Sequence, residues 1–216
     1  MDAFLTAAEN DLRRRAREYF RSRPDTSGLI ERPSWERIRR DLAGGETRDE
    51  AAGRPAALLG ETVAIIEGAA SCDPGLARGL LSRRDGFRTA DPVGDRLCAF
   101  ARLAGAADHV LEAGARSARE RGAFASSLMG CREVQESLAG IAWGAELLRL
   151  GTCRVLRLLD RDEPDRAEAE SARLLDRAAA LARDTRSVAL ALLGDAWAGS
   201  RLDGEEPSPT EERKRP

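Results

Sequence analysis

Three successive stretches between Asp91 and Ala196 carry apolar or small residues at every third or fourth position, and each is far too long to be a strand. In the first, from Pro92 to about Arg121, the repeating face is Leu97, Phe100, Ala104, Ala107, Leu111, Gly114 and Ala118. The second, Leu128 to Leu159, repeats Val134, Leu138, Ile141, Ala145, Leu148, Val155 and Leu159. The third, Pro164 to Ala196, repeats Leu174, Ala178, Leu181, Val188 and Leu192. Helices of this length with short connections are expected to form an antiparallel bundle or to share a core between subunits. Small residues dominate the first face, so a neighbouring helix is expected to approach closely. That approach would offset the cost of Gly114, about 1 kcal/mol of helix propensity relative to Ala.

The N-terminal part follows the same rule in shorter pieces. Leu5, Ala8, Leu12, Ala16 and Phe20 make one apolar face of a helix to Arg21, with arginines on the other side. Trp35, Ile38 and Leu42 mark a short helix capped by Ser34 and ended by Gly44-Gly45. Another helix starts near Pro55 and buries Leu58, Leu59, Thr62, Val63 and Ile66, and Asp73-Pro74 starts a short helix to about Leu81. Aromatics are only 4% and Ala, Leu, Arg and Glu dominate, so the expected fold class is all-α throughout. The final AGSRLDGEEPSPTEERKRP, residues 198–216, has no apolar period and is expected to be a disordered tail.

Several function classes drop out on charge and motif. A net charge of −2 gives no long-range field for nucleic acid. Basic charge is almost all Arg, with Lys214 the only lysine. Cys72, Cys98, Cys131 and Cys153 lack CxxC spacing and fall on or beside apolar faces, which favours packed free thiols over disulfides or metal ligation. With no apolar leader and no membrane-length apolar run, the chain is expected to be cytoplasmic, with no membrane partner. His109 is the single histidine, so no zinc site is expected. Neither a serine elbow, a phosphate-binding Walker loop nor a GxGxxG turn is present.

The stretch DRLCAFARLAGAADHVLEAGARSARERGAFASSLMGCREVQESLAGIA, from Asp95 to Ala142, resembles the C-terminal helical domain of the acyl-CoA dehydrogenase family. MDAFLTAAENDLRRRAREYF and RPAALLGETVAIIEGAASCDPGLARGLL resemble that family's opening helix and the helix pair before its middle domain. The family places a β-barrel-like middle domain between the two helical parts. Here only residues 83–91 stand in its place. The resemblance therefore implies an N-terminal helical subdomain at 1–82, a short linker at 83–91, a C-terminal bundle at 92–197 and a tail at 198–216, with no β-domain.

The resemblance also assigns roles residue by residue. In ARERGAFASSL, Arg121 and Phe124 match an Arg and a Phe three residues further on, where the Arg reaches the diphosphate of a neighbouring subunit's FAD; a guanidinium fork suits that oxyanion. The residues flanking Phe124 depart from the family's usual Gln and Gly, being Ala123 and Ala125. In REVQESLAGIA, Gln135 matches the second of two glutamines, and the first is Arg132. Gln135 reads equally as a cofactor contact or a solvated helix residue. Near the end, Gly194 remains from a glycine pair that lets backbone approach the flavin, while Ala191 and Asp195 replace a Gln and the second Gly. An anionic Asp195 would repel a diphosphate.

Asp95, followed by Arg96 and Leu97, aligns with the catalytic Glu of isovaleryl-type members, which removes the α-proton of an acyl thioester. Read without the family, Asp91 and Asp95 are acids that cap a helix start and complement its dipole. Two functions follow from the resemblance. One is an accessory or pseudoenzyme subunit that assembles with itself or with a full-length acyl-CoA dehydrogenase-like partner and completes that partner's FAD site. The other is a reduced FAD-dependent dehydrogenase with Asp95 as base. A third reading, from a different class, is a module that binds acyl chains between its helices.

Overall fold

The computed structural model describes residues 7–22, 38, 41–42, 55–74, 77, 80, 92–123 and 126–198. Its helices are α1 (Ala7–Arg21), α2 (Pro55–Cys72), α3 (Pro92–Glu120), α4 (Arg132–Asp160), α5 (Pro164–Leu193) and the single-turn α6 (Asp195–Ala198). The fold is all-α. Its described strands are the two-residue pieces β1 (Gly122–Ala123) and β2 (Ser126–Ser127), paired antiparallel in a tight hairpin. A 3₁₀ turn, Leu128–Gly130, joins that hairpin to α4. Ile38 and Leu42 are buried helical residues. The readings placed on residues 23–37, the linker 83–91 and the tail from 199 onward lie outside the described residues.

Each helix forms where its apolar period lies. On α1, Leu12, Ala16 and Phe20 are buried in one row. α2 is apolar nearly all round and packs between α1 and α3, which explains why so few of its residues reach solvent. α3 is the central helix, touching α2, α4 and α5. Its expected inner face is buried at Leu97, Phe100, Ala104, Ala107, Gly114 and Ala118, with Leu111 partly covered. Gly114 faces Leu192 and Leu138, as its small size allows. The closest approach on α3 is elsewhere, at Gly105. A methyl group there would fall 2.6 Å from the Ala70 Cβ and against the Glu67 carbonyl oxygen, so α2 can lie on α3 only because this residue has no side chain. One hydrophobic core runs without a break from Leu12 to Ala198.

Two helix boundaries differ from the reading of the sequence. α4 begins at Arg132 rather than Leu128, because Cys131 is extended (φ −76°, ψ 128°) and the hairpin and 3₁₀ turn occupy the residues before it. α5 ends at Leu193 rather than Ala196. Gly194 takes φ +93°, a conformation that suits glycine, and its N–H closes the helix on the carbonyls of Ala189 and Leu190. The chain then turns once more into α6, so Ala198, expected to open the tail, is helical and fully buried. α6 is held by Trp197, whose ring stacks on His109 of α3 with centroids 5.5 Å apart. The four cysteines are free thiols, Cys98 and Cys153 buried and Cys72 and Cys131 half-buried.

Candidate functional site

Two places in the molecule concentrate polar chemistry. The first is the end of the bundle where α3 stops, α4 starts and α5 breaks. Arg121 follows the last turn of α3, its N–H bonded to the Ser117 carbonyl at 3.0 Å. Its own carbonyl accepts the Leu128 N–H at 2.9 Å, so the hairpin closes directly on Arg121 and fixes its backbone. The side chain is exposed and makes no ion pair among the described residues. Phe124, at the hairpin tip, lies outside the described residues.

Gln135 sits in the first turn of α4, exposed, and its Nε2 donates to the Met129 carbonyl at 2.9 Å. Arg132, which stands where the family has a glutamine, is turned along its own helix into a pair with Glu136 at 2.6 Å. Gly194 reaches the same end, because Ser117 Oγ donates to the Leu192 carbonyl at 2.8 Å and ties the end of α5 to the end of α3. Open space surrounds the position of its absent side chain, so the glycine answers to its φ and not to crowding. Asp195 follows it, exposed, in the first turn of α6.

Arg121, Gln135 and Gly194 thus converge on one end of the bundle. Asp95 does not join them. It is exposed in the first turn of α3, at the opposite end of a helix that rises about 1.5 Å per residue and so holds it roughly 40 Å from Arg121. No single ligand-sized site in one chain can use both residues.

The second place is the junction of α1, α2, α3 and α4, which the reading of the sequence did not single out. Arg149 of α4, with only 10% of its side chain exposed, donates from Nε to Glu67 at 2.7 Å, from one terminal nitrogen to Asp108 at 2.6 Å and from the other to Glu146 at 2.9 Å. Glu67, buried in α2, also takes Arg13 of α1 at 3.0 Å, and Asp108 takes Arg17 of α1 at 2.8 Å. Arg17 reaches Ser71 Oγ at 2.9 Å as well. Burial alone would lower the Arg149 pKa, but the Glu67 and Asp108 carboxylates outweigh it and hold the guanidinium charged well above its ordinary range. Arg13, Arg17, Asp108 and Arg149 of this network line an open cleft of about 690 Å³, which the apolar Leu111, Leu138 and Ala142 line as well, with Gln135 and Met129.

No sequence signal marks that junction, since its members lie tens of residues apart and each alone looks like a solvated helix charge. Among the described residues, no group of three or more His, Cys, Asp or Glu is placed to hold a metal ion. No helix among them is long and apolar enough to cross a membrane.

The architecture defines a helical-bundle protein whose last helices fold back on a central one, with polar residues gathered where the connections meet. Residues 93–198, which span α3 to α6, match the family model for the acyl-CoA dehydrogenase, C-terminal domain. Over these residues the chain is similar to the C-terminal helical domain of that family. Only residues 73–91 separate α2 from α3, and the described parts contain no β-domain between them. No curated protein and no solved structure gives a significant match to the chain.

Proposed function

We infer that the protein is an accessory or pseudoenzyme subunit of the acyl-CoA dehydrogenase type, which assembles with itself or with a full-length partner and lends Arg121 to the partner's flavin site. The observation that carries this reading is the state of Arg121: exposed, pinned by its backbone at the end of α3, and free of ion pairs among the described residues. An arginine held in place with its fork uncommitted suits the diphosphate of an incoming nucleotide cofactor. Gln135 and Gly194 stand at the same end and would border that contact.

The same residues fit one edge of an FAD site and not a whole one. Arg132 is paired with Glu136, Asp195 adds a negative charge beside Gly194, and the described residues contain no β-domain to enclose an isoalloxazine ring. When bound, FAD would supply hydride acceptance from the acyl group; what this chain contributes is a fixed cation for its diphosphate. The base would come from the partner, since Asp95 is about 40 Å from Arg121.

The test is the visible spectrum of the purified chain alone and after co-purification with a full-length dehydrogenase from the same host. The chain alone is expected to be colourless and the complex yellow. Stoichiometric flavin on the isolated chain would instead support the dehydrogenase reading with Asp95 as base, and turnover lost in Asp95→Asn would confirm it. The half-apolar cleft favours a second reading, an acyl-chain binding module, because about 690 Å³ lies within the range of small-molecule sites. Fatty acid binding by the isolated chain, lost on Leu138→Arg, would support that reading.

A further inference from the structure

The break between α5 and α6 leaves a carbonyl to be satisfied. Leu192 lies in the last turn of α5, where carbonyls have no N–H ahead of them within the helix, and Gly194 at φ +93° stops the helix just beyond it. Leu192 is buried, which makes an unmet carbonyl there costly. Ser117 of α3 meets it, its Oγ donating to the Leu192 carbonyl at 2.8 Å. Gly114, on the same face of α3, makes that approach possible: the first carbon of a side chain there would fall 3.2 Å from Leu192 Cδ1. The glycine admits the Leu192 side chain, and the serine takes the Leu192 carbonyl.

Ser117 also holds the other edge of this end of the bundle. Its carbonyl accepts the Arg121 N–H at 3.0 Å, and the Arg121 carbonyl in turn accepts the Leu128 N–H. One residue therefore bonds by its backbone to the turn that carries Arg121 and by its side chain to the turn that leads into Gly194. We propose that Ser117 is a positioning residue whose hydroxyl sets the Gly194 break in fixed register with Arg121, so that both edges meet a bound diphosphate as one rigid frame. The proposal rests on the reading of Arg121 as a flavin contact and adds how the neighbouring edge is held. Ser117 acts through the end of α5 and not by touching the cofactor. Fixing both edges beforehand lowers the ordering that binding must otherwise supply. Removing the hydroxyl spares the Arg121 turn, which uses only the Ser117 backbone, and loosens the Gly194 side.

Amide hydrogen exchange on the isolated full chain is the first measurement. In Ser117→Ala the Gly194 and Ala198 amides are expected to exchange at least about tenfold faster, with the Arg121 and Leu128 amides at the wild-type rate. Ser117→Thr keeps a hydroxyl and is expected to restore slow exchange at Gly194. The second measurement is FAD retention by the complex with a full-length dehydrogenase from the same host. There Ser117→Ala is expected to release FAD about five- to tenfold more readily, the worth of one neutral hydrogen bond, and Ser117→Thr to match the wild type. When Arg121→Ala is already present, Ser117→Ala is expected to add little, because the frame has lost the edge it was aligned with. A serine that only stabilised the fold would lower retention by the same factor in both backgrounds. Unchanged exchange at Gly194, equal loosening at all four amides, a Thr variant as loose as the Ala variant, or losses that multiply independently would each overturn the proposal. FAD retention that depends on Arg121 and ignores Ser117 overturns this proposal alone, whereas retention indifferent to Arg121 overturns the flavin reading and this proposal with it.

Discussion

Arg149 and Arg121 are the same side chain put to opposite uses. Arg149 is buried where four helices meet and spends its fork on Glu67, Asp108 and Glu146. Arg121 is held by its backbone alone and, among the described residues, spends its fork on nothing. A buried cation with no partner would cost several kcal/mol, so Arg149 can sit where it does only because the acids of α2, α3 and α4 are there to meet it. An exposed cation pays no such cost, and its worth to the fold is small. The difference separates a residue that holds the N-terminal helices to the bundle from one that is available to a ligand.

The largest expected effect lies at the junction. Arg149→Ala leaves Glu67 buried with only Arg13 to balance it and should destabilise the fold by about 3–5 kcal/mol in urea denaturation. Arg121→Ala should change stability by less than about 0.5 kcal/mol in the same assay. Equal losses at the two sites would break the comparison. Replacing the pair together, Arg149→Met with Glu67→Gln, should cost less than Arg149→Ala alone, because no buried charge is then left unmatched. If the double change is the more damaging, the network contributes net stability beyond mutual compensation.

A smaller effect belongs to the contact beneath that network. Gly105→Ala places a methyl group against the Glu67 carbonyl and 2.6 Å from the Ala70 Cβ, and neither is a flexible side-chain tip. The expected loss is about 1–3 kcal/mol as α2 is pushed off α3. An unchanged unfolding midpoint would mean that α2 and α3 do not lie this close in solution.

The smallest effect is a pH dependence. Burial raises the Cys72 thiol above its ordinary value of 9.0, against the weaker pull of Ser71 and the arginines of α1. Its contribution to stability is therefore fully present below 9.0 and is lost as pH climbs through the raised native value, once the unfolded chain can ionise first. Cys72→Ala should flatten the alkaline end of the stability profile. A profile of the same shape in both proteins would place the pH dependence elsewhere.

These residues also mark how far the sequence could be read. The buried rows of α1, α3 and α5 follow from a three-to-four period that needs no tertiary information, because each helix must hide one face. The junction could not be read this way: Arg13, Glu67, Asp108 and Arg149 come from four helices and meet only when those helices pack. The early start assigned to α4 failed for a local reason, since Leu128 and Met129 continue the apolar pattern while the backbone forms a 3₁₀ turn. The end of α5 failed similarly. Apolar residues run on to Trp197, but the positive φ of Gly194 splits them between two helices. At the candidate site, Arg121, Gln135 and Gly194 came from resemblance and gather at one end because the turn before α4 and the Ser117–Leu192 bond bring the helix ends together.

The central claim is that the Arg121 end serves a flavin held by another chain. The most direct measurement is flavin retention by the assembled complex, comparing the wild-type chain with Arg121→Ala while the fold is followed by circular dichroism. A hydrogen bond to a charged group is worth about 1.5–3 kcal/mol, so the variant should release flavin on the order of ten to a hundred times more readily, with helicity unchanged. Equal retention in the two complexes would contradict the account.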